Sequence, residues 1–189
     1  CVVEGVFGGE GVGGAALGAV NIGVLFFTFV VAAAAMFPMG GATVVAIRMG
    51  RGDKKGANDA FIMSLTLTFL ISAALMAFGM IFAEKIVDLS GAVRLSDEMR
   101  KMAADYLFYY SAFSIPMLMS TCLSVFVRND GSPGLSFAGM CTGAAANIFL
   151  DWLFIFPFEM GVIGAAVASG LGQILSVMVL LVHFIKKRG

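Results

Sequence analysis

The chain of 189 residues is 60% hydrophobic and 13% charged, with a mean hydropathy of +0.97. A soluble globular domain carries about 25% charged residues, so this composition signals an integral membrane protein instead. Twelve basic residues balance twelve acidic ones, which leaves no basic excess for a nucleic-acid partner.

Charge-free runs at 16–47, 60–83, 106–127, 131–150 and 160–185 each reach the length of about 20 residues that a helix needs to cross the hydrocarbon. They are continuously apolar and lack the period-two alternation of a membrane barrel. The expected fold is therefore all-α, a polytopic membrane helix bundle. Residues 1–8 read as the end of a first span, truncated because Cys1 already stands inside an apolar stretch. Gly8 to Gly14 is a glycine-rich connection containing Gly9-x-Gly11-x-x-Gly14. That spacing binds dinucleotides only between the strand and helix of a βαβ unit, which this sequence lacks. The reading is a tight turn between helices.

The run 16–47 exceeds one straight crossing, and Pro38 with Gly40 and Gly41 predicts a kink within it. Arg48 to Lys55 is a short basic loop. In span 60–83, Ser64, Thr66, Thr68 and Ser72 are read as bonded back to their own helix in preference to lining a cavity. Residues 84–105 form the longest polar connection, carrying Glu84, Asp88, Asp97, Glu98 and Asp105 against Lys85, Arg94, Arg100 and Lys101. Tyr106, Tyr109 and Tyr110 open the span 106–127 as an interfacial aromatic belt. Arg128 to Pro133 is a turn by composition, and the fourth complete span covers 135–157. Pro157 to Gly161 reverses the chain, and the fifth span, 162–185, is closed by Lys186, Lys187 and Arg188. Cys122 and Cys141 fall inside spans and Cys1 is terminal, so no disulfide framework is expected. The only histidine, His183, is read as an interfacial side chain.

Orientation follows from the basic residues. Alternate crossings place loops 48–55 and 128–133 and the tail 186–188 on one side, with Arg48, Arg51, Lys54, Lys55, Arg128, Lys186, Lys187 and Arg188. The positive-inside rule makes that side cytoplasmic.

A polar pair stands out against this apolar frame. Asn147 and Asp151 are four residues apart, hence on one face of a helix. A carboxylate at membrane depth costs roughly 2.5–3.5 kcal/mol to insert, so it needs a partner or a water-filled cavity. Ser169 and Gln173 in the next span are placed to face it. Gly139 and Gly143 in one span, and Gly164, Ala168 and Gly172 in the next, form small-residue stripes that pack these two helices as a hairpin. The alternative for the pair is a structural hydrogen bond between helices, and for Ser169 a bond to its own helix.

Arg128-Asn129-Asp130-Gly131-x-Pro133, Asn147-x-x-Leu150-Asp151, Met160-Gly161-x-x-Gly164-Ala165-Ala166 and Gln173 follow one another along the chain. In these motifs the sequence resembles the multidrug and toxic compound extrusion (MATE) transporters. Upstream the resemblance extends to Gly40-Gly41-Ala42, Arg48-x-Gly50-x-Gly52-x-Lys54, and Val3-Glu4-x-x-Phe7-x-Gly9 followed by Gly13 and Ala16-Leu17-x-x-Val20-Asn21. It implies a twelve-span protein of two six-helix lobes, of which this chain is most of the N-terminal lobe; the C-terminal lobe is the missing partner. It implies a multi-pass protein of the plasma membrane that is not an enzyme, exporting cationic or amphipathic drugs by Na⁺ or H⁺ antiport, without a cofactor. The family's coupling-ion positions fall on Glu4, Asn147, Asp151 and Ser169, which would hold Na⁺ or share a proton. Glu4 replaces the family's usual Asp and Ser169 its common Thr. The many Met and Phe residues are expected to face lipid or pack, a few giving a drug cavity an adaptable surface.

Two alternatives remain at this level: a lipid-linked saccharide flippase of a related superfamily, and a non-transporting membrane fragment. A flippase calls for a basic cavity, and no Lys or Arg lies inside any of the spans.

Overall fold

The structure is a computed structural model that describes residues 28–89 and 97–186. The end of the first span, the Gly8–Gly14 turn, Glu4, Arg94 and the tail residues Lys187 and Arg188 lie outside the described residues. Among the described residues a helical stretch at 28–34 leads into α1 (Met36–Gly50), followed by α2 (Lys54–Leu89), α3 (Asp97–Ala112), α4 (Ser114–Asn129), α5 (Pro133–Ile155) and α6 (Gly161–Lys186). Thr28–Gly50, α2, α5 and α6 are each long and apolar enough to cross a membrane, and α3 with α4 makes a fifth candidate, bent by 47°. A helix satisfies every backbone donor and acceptor internally, which hydrocarbon demands.

Proline marks two irregular points in the helices, of which one is a sharp bend. The helical run from Thr28 is interrupted at Ala35, three residues before Pro38, yet Thr28–Gly50 still runs as one span, with Ala35 in helical φ and ψ. At Phe113, three residues before Pro116, the chain bends by 47° where sequence reading had one unbroken span. In each case the ring clashes with the carbonyl four residues back and removes a donor. Restarting the helix puts proline in the first turn, where its missing N–H costs nothing.

The turns on the basic side share one design. Gly52 and Gly131 adopt φ of +78° and +82°, which glycine reaches without a Cβ clash. Their N–H groups bond the carbonyls of Met49 and Arg128, and the next residues, Asp53 and Ser132, bond those of Arg48 and Val127. This pattern closes a helix through its last carbonyls. Asp53 then opens α2 by accepting the Gly56 N–H on Oδ1 at 2.9 Å, while Arg48 donates to the Gly56 carbonyl at 3.1 Å. So capped, α2 runs well past the predicted 60–83 at both ends.

At the far end α2 meets α3 through Ala83, Ile86, Val87, Ala103, Ala104 and Leu107, sealed by an Asp88–Arg100 ion pair. Phe61 lies edge-on to Phe126 at 4.8 Å and stacks on Phe184 at 5.3 Å, joining α2, α4 and α6. Ser64, Thr66 and Ser72 do bond back to their own helix. Thr68 departs from that reading and reaches Cys122 Sγ of α4 at 3.7 Å. Phe29, Met63 and Ile81 point outward, as lipid-facing side chains do.

Candidate functional site

The most extensive interface in the described residues is between α5 and α6. The expected small-residue stripes meet there. A Cβ on Gly172 would stand 2.7 Å from the Gly143 carbonyl oxygen, and one on Gly143 would stand 3.0 Å from the Gly172 oxygen. Only glycine lets the two backbones approach so closely. Gly139 receives Leu180, and Gly164 receives Phe154 and Met160 beside the chain reversal.

One turn beyond Gly143 comes Asn147, and one turn further Asp151. Asn147 Nδ2 donates to Ser169 Oγ of α6 at 3.2 Å, so Ser169 is engaged between helices. Asp151 is completely buried. Among the sequence-predicted site residues, Asn147 and Ser169 are thus in contact, Asp151 lies one helical turn away on the same face of α5, and Glu4 is outside the described residues.

Beside this hairpin opens a cleft of about 490 Å³, within the range of small-molecule sites. Asn147, Ser169, Gln173 and Ser176 line one wall. Tyr106, Tyr110 and Phe113 from the α3–α4 bend, with Met117, Ser120 and Arg128 of α4, line the other. The bend is what turns Phe113 onto α6: its ring occupies the space that a side chain at Gly170 would need. Ser120 donates to Ser176 at 3.0 Å, and Ser124 and Ser136 share a hydrogen bond of 2.8 Å. Hydroxyls thus continue the polar wall away from Asn147.

Two features were missed from sequence. His183 is not merely interfacial: it is 9% exposed, and its Nε2 lies 2.7 Å from Asp130 Oδ2, tying the α4–α5 turn to α6. Arg128 reaches the cleft from the end of α4, outside the apolar runs. The register Ser169, Gln173, Ser176, Leu180, His183 carries the helical period and signalled one inward face of α6.

Asp151, the Asn147 amide and the Ser169 hydroxyl offer hard oxygens. Among the described residues no group of three His, Cys, Asp or Glu side chains could hold a metal ion.

A multi-pass helical bundle whose polar groups converge beside a membrane-depth cleft has the build of a transporter. The MatE family profile matches residues 6–153, and the chain belongs to that family of membrane transporters, not enzymes. Multidrug export protein MepA of Staphylococcus saprophyticus is 25% identical over 173 residues, covering 90% of this chain and 37% of the relative. The crystal structure of MATE in the bent conformation matches with a TM-score of 0.89 at 24% identity, over 99% of this chain and 41% of that one. The inward-facing conformation of a multidrug resistance MATE family transporter of the MOP superfamily matches with a TM-score of 0.84 at 25% identity, over 95% of this chain and 40% of that one. The chain therefore spans about two-fifths of the proteins it matches.

Proposed function

We propose that the chain is one six-helix lobe of a cation-coupled exporter of drugs and other xenobiotics, working with a second lobe by alternating access. Asp151, Asn147 and Ser169, joined by Glu4, form the site of the coupling Na⁺ or H⁺. The single observation that supports this reading is the complete burial of Asp151 one turn from the bonded pair Asn147 and Ser169, which themselves line a drug-sized cleft. A carboxylate at that depth gains from neutralisation, and a cation or proton supplies it. Binding shifts the helix arrangement only through differential affinity for two conformations, so cation entry must favour one position of α5 and α6 over another. A membrane potential of about 100 mV adds roughly 2.3 kcal/mol for each charge carried inward. The turns holding Arg48, Arg51, Lys54, Lys55 and Arg128 face the cytoplasm across the plasma membrane, by the positive-inside rule.

The test is ethidium efflux from energised vesicles carrying the full-length protein. Asp151→Asn is expected to reduce cation-driven efflux to that of empty vesicles, while the variant still inserts and folds. Efflux unchanged in Asp151→Asn overturns the coupling role.

A further inference from the structure

One turn of α6, from Ser169 to Gly172, is held from two sides. On the α5 side, Ser169 Oγ accepts the Asn147 Nδ2 hydrogen at 3.2 Å, and a Cβ on Gly172 would stand 3.2 Å from the Asn147 Cβ. On the side of the α3–α4 bend, the Phe113 ring lies in the notch at Gly170, where even a methyl group would collide with it. Phe113, Ser169 and Gly170 all line the cleft, and Phe113 is only half-buried. Its ring thus has one edge against α6 and another open to whatever the cleft holds. The ring also stands at a joint. Phe113 has φ −95° and ψ 13°, in the sparsely populated region between helix and strand, where α3 and α4 meet at 47°. Pro116 has no N–H for the Ala112 carbonyl, and the Phe113 N–H bonds the Tyr110 carbonyl at 3.3 Å in a tighter turn than the helical one. Residues at the ends of elements are the ones that absorb dihedral change when helices hinge.

We infer that Phe113 is the positioning residue that couples the cleft to the cation site. Wedged at Gly170, its ring holds the Ser169 turn of α6 against Asn147. A drug body entering the cleft displaces the ring at the bend, the turn relaxes away from α5, and the contact between Asn147 and Ser169 opens. A bound cation does the reverse: by drawing Asn147 and Ser169 onto one ion it seats the ring in its notch, where it stands in the way of the drug. Coupling of two binding sites is reciprocal, so drug and cation weaken each other by the same factor. This inference rests on the proposed function, with the cleft as drug site and Asp151, Asn147 and Ser169 as cation site, and adds the part that links them.

Ethidium binding to the full-length protein in lipid nanodiscs is read by fluorescence anisotropy, with Na⁺ exchanged for K⁺ at constant ionic strength and, in a second series, with the pH lowered. The coupling factor is the ratio of ethidium dissociation constants with and without the cation, which cancels any affinity the ring itself gives the dye. In the unmodified protein a factor of about tenfold is expected, within the usual range for coupled sites. Phe113→Ala should bring it below about twofold, and Phe113→Tyr, which keeps the ring, should retain most of it. A fluorine atom on the Phe113 ring adds a readout that removes nothing from the site. Its NMR resonance should shift when the cation is added without dye, and Asp151→Asn should abolish that shift. The wedge is overturned, and the cation site left standing, if Asp151→Asn abolishes the cation's effect on ethidium while Phe113→Ala keeps the full coupling factor or the fluorine resonance ignores the cation. If neither cation changes ethidium binding in the unmodified protein, the coupled exporter is overturned and the wedge falls with it.

Discussion

The α1–α2 and α5–α6 hairpins have similar raw material, two apolar helices with glycines and scattered hydroxyls, and use it in opposite ways. In α2 the hydroxyls of Ser64 and Thr66 are spent on carbonyls of their own helix, and only 17% of its apolar window is buried. In α6 the figure is 39%, and Ser169 and Ser176 bond side chains of other helices. Hydroxyl content therefore does not mark a functional helix in lipid. What marks it is whether neighbouring backbones come close enough for short side chains to meet, and in α5–α6 glycine permits that.

Breaking the comparison at its strongest point means Gly172→Leu. Its side chain would be driven into the Gly143 backbone, and a loss of about 3 kcal/mol or more is expected, as for severe overpacking. Thermal unfolding in detergent measures it. In the other hairpin the close approach at Gly41 is to the Ser64 side chain and not to backbone, while Gly40→Ala, which meets nothing within 4 Å, should be neutral or stabilising by up to about 1 kcal/mol. A Gly172→Leu melt as mild as that of Gly40→Ala would show that the α5–α6 backbones are not in close contact.

A middle-sized effect concerns the turn that joins α1 to α2. Asp53→Ala removes the α2 cap and should cost about 1 kcal/mol in the same melt. His183→Ala frees the α4–α5 turn from α6, and faster amide exchange over residues 130–132 is the expected signature. Exchange unchanged there would show that the paired glycine and proline chemistry holds the turn alone.

The smallest effects sharpen the contrast between hydroxyls. Ser169→Ala should cost about 0.6 kcal/mol, the average for hydrogen bonds between membrane helices. Thr66→Ala, which loses only a bond to its own exposed helix, should fall within about 0.5 kcal/mol of zero. Should Thr66→Ala prove the more costly, back-bonding would be stabilising α2 more than the interhelical bond stabilises α5–α6.

Much of this was legible in the amino-acid order. Hydrocarbon admits few spanning structures, so length and polarity alone gave helices near 60–83, 135–157 and 162–185, and the spacing of Asn147 from Asp151 placed them on one face. The small-residue stripes pointed to the α5–α6 seam because close approach leaves a local signature in the chain. The break at Phe113 was also written locally, in Pro116, but an apolar run conceals it from a hydropathy reading. Other facts depend on partners far apart in sequence. That Thr68 reaches Cys122, that His183 holds Asp130 and that Arg128 turns to the cleft while Arg48 stays in its own turn follow from how the helices cross. Period and composition fix which face of a helix is turned inward; only the packed bundle decides what that face meets, because contact is a property of pairs of helices and not of either one.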